Sequence, residues 1–511
     1  MSQETAVNNK RIAKNTLFLY LRMIIVMAIG LYTVRAILDL LGVVDYGIYN
    51  VVGGVVSMFA FLNGTLSTSS QRYFSIELAK GDLKRLNQWF CLNITAFSIF
   101  ILIFLVFAET IGSWFVNTQM TIPEERMFAA NVVYQLSIIS FCISFYSIPY
   151  NALIIAHERM SAFAYISIIE ALLKLGIVFV LSIITWDRLI IYGILMFLTA
   201  CGITLSYVIY NLIHFRESKY HPYWNKREFK EIMGFSGWHF FGTFSVTIRS
   251  HGINILLNLF FNPAINAARA VAFQVYHAVS LLSSNFFLAV KPQIYKYYAA
   301  QENEALYKLI MRSTILCSLS VSILVFPILA NTSYILSLWL KVVPQYTIIF
   351  TQLVLINGLI EATNGPTIAA VLATGNLRNY ELVVSTLSIM NLPFSYIALK
   401  FGAEPTITIL ISIIISIIIT YTRAHILCKR LILQITKYVI MFLRLLLASI
   451  IISCIIYFSM YNKADNFVSL VTHSFYAVIL CIIIYLVVAF KKKDTISIYR
   501  LITKKYENKS I

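Results

Sequence analysis

Charge is scarce in this chain. Lys, Arg, Asp and Glu together make up 12% of its 511 residues, about half of the roughly 25% with which a soluble domain covers itself. With 59% hydrophobic residues there is too little polar surface to face water, so a soluble globular fold is excluded and hydrocarbon is the expected solvent. The alternating pattern of barrel strands is also missing. The apolar runs are about 20 residues or longer, the length that crosses a bilayer as helix, and helices satisfy their own backbone in lipid. The seven cysteines (Cys91, Cys142, Cys201, Cys317, Cys428, Cys454, Cys481) show no CxxC spacing, which argues against a disulfide framework or a metal site. They are read as small buried apolar side chains. No GxxxxGK[ST] occurs, so the chain is not expected to hydrolyse ATP. No cofactor is called for. Loops on the outer side stay below roughly twenty residues and offer only Glu124-Glu125 as an acidic pair, which argues against a membrane-embedded glycosyltransferase or polymerase. The first apolar run, 15–41, is too long and lacks a small-residue cleavage site, so it is expected to stay as a helix rather than leave as a signal peptide.

What is present is a series of apolar segments near 15–41, 46–69, 87–109, 127–152, 161–184, 189–212, 234–261, 267–290, 312–340, 346–373, 379–399, 405–427, 438–460 and 468–490, about fourteen spans. Trp89, Trp114, Trp186, Trp238 and Trp339 sit near their ends, as interfacial anchors do. The net charge of +18 follows the same layout. If the N-terminus is cytoplasmic, basic residues favour the inner segments over the outer ones by roughly five to one, counting Lys341 and Lys463 among the few outside and the run 491–509 inside. Both termini are then expected in the cytoplasm, and the basic surplus reads as a topology signal, not a nucleic-acid footprint.

A weak internal repeat organises the spans. Pro149-Tyr-Asn-Ala-Leu-Ile-Ile-Ala156 corresponds to Pro366-Thr-Ile-Ala-Ala-Val-Leu-Ala373, 217 residues later. Both are read as a proline in mid-helix, followed by an apolar stretch, an alanine and a polar turn. Arg72-Tyr-Phe and Ala79-Lys-Gly-Asp correspond to Gln293-Ile-Tyr and Ala300-Gln-Glu-Asn at a similar offset. Six spans per repeat put both halves in one orientation, related by a pseudo-two-fold along the membrane normal. The expected organisation is a six-helix lobe over 1–213, a linker over 214–231, a second six-helix lobe over 232–430, and an added helix pair with a basic tail over 431–511.

The order of several motifs resembles the multidrug/oligosaccharidyl-lipid/polysaccharide (MOP) exporter superfamily and, within it, the Wzx-type O-antigen and polysaccharide flippases. They are Lys14-Asn15-Thr16; Arg35 with Leu41-Gly42 and Asp45-Tyr46-Gly47-Ile48-Tyr49; Ser69-Ser70-Gln71-Arg72; and Pro149 with Ala156-His157-Glu158. The likeness covers roughly the first 430 residues. It implies a V-shaped, two-lobed exporter of the bacterial inner membrane that carries an undecaprenyl-diphosphate-linked oligosaccharide from the cytoplasmic to the periplasmic leaflet. It also implies a complex with polysaccharide polymerase machinery. A cation-coupled multidrug exporter of the same fold and a peptidoglycan-precursor (lipid II) flippase are the alternatives. A multidrug exporter favours acidic or aromatic cavities and, in related proteins, an aspartate in the first helix. Here that helix carries Arg22, and its only aspartate, Asp39, lies at the outer end.

Charges within spans cost at least ~2.5–3.5 kcal/mol near the bilayer centre and need a reason. Arg22, Lys174 and Arg249 are the candidates for holding a diphosphate head group, which carries about two negative charges, by charge-assisted hydrogen bonds. Arg22 and Arg249, from equivalent spans, are expected to face one another across a cleft. Glu361, Glu170 and His251 are candidates for a coupling ion, H+ or Na+, or for pairing. Glu361 could pair with Arg249, Glu170 could neutralise Lys174 at i,i+4, and His251 could be a neutral core histidine. Arg22 could instead snorkel to the headgroups. Arg35 and Asp39, also at i,i+4, are expected to form a structural pair. Pro149, Pro327, Pro366 and Pro393 are candidate hinges for alternating access.

Overall fold

A computed structural model of the protein describes residues 3–57, 61–118, 120, 122–261, 263–340, 343–431, 434–459 and 466–489. Lys341, Lys463 and the basic run 491–509 lie outside the described residues, as do 58–60 of the expected second span. The described residues form helices joined by short turns, with no strand among them. Their order is α1 (Gln3–Ser57), α2 (Phe61–Lys80), α3 (Leu83–Phe107), α4 (Ser113–Thr118), α5 (Met127–Ala156), α6 (Met160–Ile183), α7 (Arg188–His214), α8 (Lys226–Phe260) and α9 (Pro263–Ala299). These are followed by α10 (Asn303–Ala330), α11 (Thr332–Trp339), α12 (Thr347–Glu361), α13 (Gly365–Ala373), α14 (Arg378–Ile389), α15 (Asn391–Lys400), α16 (Ile407–Leu431), α17 (Ile435–Ser459) and α18 (Phe467–Ile484).

Eleven helical segments are long and apolar enough to cross a membrane, and α12 with α13 makes a twelfth as a span bent by 41°. Two expected spans are not among them. The second falls on the end of α1 and on α2, rich in Ser, Thr, Asn and Gln; the seventh falls on α8, which carries Arg249, His251 and Asn254. Both are helical, but their composition suits polar neighbours rather than lipid on every side. Elsewhere large apolar side chains point outward, Ile183 and Phe458 among them, at 81% and 80% exposure. In water that would be a liability; in hydrocarbon it costs nothing.

The chain divides into two compact units, Met1–Phe240 with Tyr295–Gln301, and Phe241–Ile294 with Glu302–Ile511. The border falls inside α8, beyond the expected linker 214–231, because the linker is fastened to the first unit. Asn87 Nδ2 donates to the Glu217 and Lys219 carbonyls at 2.8 and 2.7 Å. His157 Nε2 meets Glu217 Oε1 at 2.6 Å and its ring stacks on Phe215 at 4.0 Å, while Arg85 pairs with Glu228 at 2.7 Å.

In the first unit α5 is central, packing on α1, α2, α3 and α7, while α1 also packs on α6. Tyr134 is fully buried in this core and donates to the Ala108 carbonyl at 2.7 Å. α1 changes direction at Gly42, whose φ of 75° and ψ of 167° leave the helical region, a conformation that costs glycine little and other residues much. Just beyond this kink, Arg126 grips Asp45 through Nε at 2.9 Å and Nη2 at 2.6 Å, and Asp187 through Nη1 at 2.6 Å. Asp187 also caps α7 by accepting from the Leu189 and Ile190 amides. Its carboxyl is held below the usual range chiefly by the Arg126 hydrogen bonds. A further knot sits where Glu158, with a side chain 0% exposed, accepts from Lys296 Nζ at 2.5 Å and lies 3.5 Å from Arg11.

In the second unit α10 packs on α12, α13, α17 and α18. The hydroxyl of buried Tyr485 meets Ser318 and Ser322, each at 2.7 Å. The last two helices, the expected added pair, pack into the core of this unit.

The prolines do not behave alike. Pro149 lies within continuous α5. Pro366, by contrast, opens α13 after the break at 362–364, so it is not in mid-helix as expected. A proline is accommodated in the first helical turn, where its missing N–H has no intrahelical partner to lose.

Candidate functional site

Of the candidate charges, Arg22, Glu170 and Lys174 lie in the first unit, and Arg249, His251 and Glu361 in the second. In the first unit Lys174 Nζ donates to Glu170 Oε1 at 2.7 Å, one turn apart on α6. Lys174 is therefore engaged rather than free. Arg22 of α1 lies partly buried with its guanidinium carbon 4.4 Å from the centre of the Phe163 ring, a cation–π geometry. It stands in the field of Glu170 and Tyr207, and its Nε has no hydrogen-bond partner among the described residues. Glu170 and Lys174 line a cavity of about 660 Å³ between α1, α2, α5, α6 and α7.

Arg35 and Asp39 do not form the expected pair. Both are exposed, and no ion pair joins them among the described residues. A solvent-accessible i,i+4 pair is worth only about 0.3–0.5 kcal/mol, too little to hold two free side chains together. The stronger electrostatic contact near the Gly42 kink is the Asp45–Arg126–Asp187 cluster. There the guanidinium fork meets two carboxylates at once.

In the second unit Arg249 of α8 is partly buried, and His251 beside it is exposed rather than a core histidine. Arg249 makes no ion pair with Glu361 among the described residues; Tyr276 stands in the field of both. Its neighbour in charge is another cation, Arg269 of α9. Arg269 is 7% exposed, lies over the Phe273 ring with its guanidinium carbon 4.4 Å from the centroid, and donates through Nη1 to Asn254 Oδ1. Its Nε is buried without a partner among the described residues. Among the described residues no carboxylate forms an ion pair with either arginine. Two guanidinium groups in one low-dielectric region repel each other and bear the cost of desolvation, a combination that an anion would relieve.

Arg269 does not stand out in the sequence, because it lies only two turns from the start of its helix and reads as a loop cation. The available signal was Asn254 and Asn266, which bring amide groups to the same place: Asn266 Nδ2 donates to the Asn254 carbonyl at 3.0 Å.

Glu361 occupies the last residue of α12, at the bend. Ser416 Oγ donates to its Oε1 at 2.9 Å, and Asn364 Nδ2 approaches Oε2 at 3.4 Å. It lines a separate cavity of about 350 Å³ with Tyr276, Ser280, Ser284 and Asn364. The Tyr276 ring lies so close to Gly358 that a Cβ there would fall 2.7 Å from it. The end of α12 presents the negative end of the helix dipole, with the side-chain oxygens of Ser416 and Asn364 beside the bend. With the carboxylate, that set of oxygens suits a proton or a small cation.

No family model and no curated protein matches the chain. Solved structures do share its fold. An outward-facing multidrug resistance MATE family transporter of the MOP superfamily aligns with a TM-score of 0.68 at 12% identity, over 82% of this chain and 95% of the other. A MATE protein in the bent conformation gives 0.67 at 12% identity, over 86% and 99%. A MOP superfamily transporter from Pyrococcus furiosus, described as having a binding pocket of reverse polarity that suggests a different function, gives 0.66 at 11% identity, over 82% and 95%. The chain is thus a multi-span helical membrane protein with a MATE-like transporter fold.

Proposed function

We propose that this chain is a MOP-superfamily flippase. Its cargo would be an undecaprenyl-diphosphate-linked oligosaccharide, an O-antigen, capsule or exopolysaccharide repeat unit. It would move this cargo from the cytoplasmic to the periplasmic leaflet of a bacterial inner membrane by alternating access, with both termini cytoplasmic. The observation that carries the reading is the pair Arg249 and Arg269, two cations with no carboxylate partner among the described residues and a buried Nε left unserved. A diphosphate supplies the missing acceptors and charge. A cationic drug would add a third like charge to the same place. Arg22 is a further candidate for the head group. Lys174, neutralised by Glu170, is not assigned to it.

Glu361 is proposed as the coupling site for H+ or Na+, since it combines a carboxylate, a hydroxyl donor and a helix break. That same carboxylate, together with the solved neighbours, favours the second reading, a cation-coupled multidrug exporter. A lipid II flippase would share the diphosphate logic and differ only in the sugar. The test is polymer export in cells lacking their own flippase. Arg249→Ala and Arg269→Ala at normal expression should abolish export, whereas full export by both would remove the proposed site. Complementing strains depleted of each flippase, with lipid intermediates measured, separates the two lipid cargoes.

A further inference from the structure

Lys174 is the one cation among the described residues that line the cavity of the first unit, and Glu170 neutralises it, so the chemistry of this cavity points elsewhere than to a diphosphate. On α5 the residues Ser137, Ser140, Ser144, Ser147 and Asn151 recur at intervals of three and four, so they share one helix face, and all five line the cavity. A hydroxyl stripe alone would mean little. Here it meets an ion pair and unserved polar atoms in a half-open volume of about 660 Å³, within the roughly 300–1,000 Å³ typical of small-molecule sites.

Ser140 and Ser147 donate to the Leu136 and Ser144 carbonyls, each at 2.6 Å, which turns their oxygens into acceptors toward the cavity. Ser137 and Ser144 make no side-chain hydrogen bond among the described residues, and Asn63 Oδ1 is buried without a partner there. Opposite them, the Glu170–Lys174 pair spends one Nζ proton and one carboxylate oxygen on itself. It keeps two donors and one acceptor for a ligand. Being self-neutralised, the pair attracts no counter-ion. Tyr49 and Phe141 add apolar ring surface to the same wall.

Dense, uncharged donors and acceptors beside aromatic faces match a polyhydroxylated ligand, apolar on its C–H faces and polar at its rim. We infer that this cavity is a saccharide subsite, which receives sugar units of the cargo. The inference rests on the flippase reading and adds a separate place, with separate chemistry, for the glycan.

The experiment uses the full chain in lipid nanodiscs and two soluble probes. One is inorganic pyrophosphate. The other is the phosphate-free oligosaccharide cleaved by mild acid from the host's own lipid-linked pool. Proton saturation-transfer NMR for the oligosaccharide and 31P line broadening for pyrophosphate should detect both on the wild type. Ser140→Leu with Ser144→Leu, which fills the cavity, should weaken oligosaccharide binding tenfold or more and leave pyrophosphate unchanged. Because those substitutions touch a central helix, Glu170→Gln with Lys174→Gln is run beside them as a near-isosteric variant, with the same expectation. Arg269→Met should do the reverse. If the wild type binds pyrophosphate but not the oligosaccharide, or if the variants bind the oligosaccharide as well as the wild type, the subsite is refuted and the flippase reading stands. If the wild type binds neither probe, the flippase reading fails and the subsite fails with it.

Discussion

Arg269→Met separates a cargo-binding arginine from a structural one, because the two roles predict opposite effects on stability. Arg269 is 7% exposed, its Nε is unserved, and its guanidinium donates to Asn254, among the described residues. Removing it gives up that charge-assisted bond, worth about 1.5 kcal/mol at the lower end for a charged donor, and relieves burial of a charge. At the bilayer centre that burial is put at ~2.5–3.5 kcal/mol. Arg269 lies roughly 9 Å into its helix from Pro263 at 1.5 Å per residue, so about 1–2 kcal/mol is the fitting share at this depth. The two terms nearly cancel, and methionine refills the volume beside Phe273. The melting temperature in nanodiscs should therefore stay within a few degrees of wild type or rise. Head-group binding should suffer instead. Losing one charge-assisted contact, about 1.5–3 kcal/mol, weakens pyrophosphate binding roughly 10- to 150-fold, at tenfold per 1.4 kcal/mol. A variant that melts several degrees lower and binds pyrophosphate like wild type would refute the reasoning, since Arg269 would then be a structural residue.

Other positions give further tests. Glu158→Gln leaves Lys296 facing a neutral amide at a site where the carboxylate is 0% exposed and the lysine side chain 21%. Breaking a buried pair costs about 3–5 kcal/mol, and the partly open lysine argues for the lower end, so thermal stability should fall by several degrees; an unchanged melt would show that the pair holds nothing together. The Asp187 carboxyl is depressed in the folded chain by Arg126, so its stabilisation is complete above the unfolded value near 3.9 and is lost as pH falls through the folded value. From about pH 4 downward, wild type should lose melting temperature more steeply than Asp187→Asn; parallel curves would contradict this. Glu361→Gln should abolish the dependence of transport on an imposed proton or sodium gradient while leaving pyrophosphate binding intact. Transport that still follows the gradient would place coupling elsewhere.

Composition alone makes the helical membrane fold legible, because apolar run length and the shortage of charge are properties of the solvent the chain needs. The limits of that reading are physical as well. Hydropathy finds spans that face lipid and loses contrast at α8 and α2, where polar side chains turn toward protein or a cavity. A proline has the same letter in continuous α5 and at the head of α13, and only the backbone around it distinguishes the two. The i,i+4 rule correctly joins Glu170 to Lys174, where both line one cavity, yet fails for Arg35 and Asp39, which are both exposed. The long-range contacts, Arg126 with Asp45 and Asp187, Glu158 with Lys296, and Arg249 beside Arg269, join residues between 20 and 138 positions apart. They carry no local pattern. The serine stripe of α5 was visible in principle, since its spacing is helical, but it gains meaning only once a cavity is found against it.

The measurement closest to the central claim is flipping by the purified chain in proteoliposomes, with the lipid-linked oligosaccharide in one set and a cationic dye in another. The account predicts that the lipid-linked oligosaccharide crosses between leaflets in wild-type vesicles, stops with Arg249→Ala or Arg269→Ala, and that the dye does not accumulate. Dye accumulation driven by an ion gradient, with no movement of the lipid-linked oligosaccharide, would contradict it and assign the chain to multidrug export.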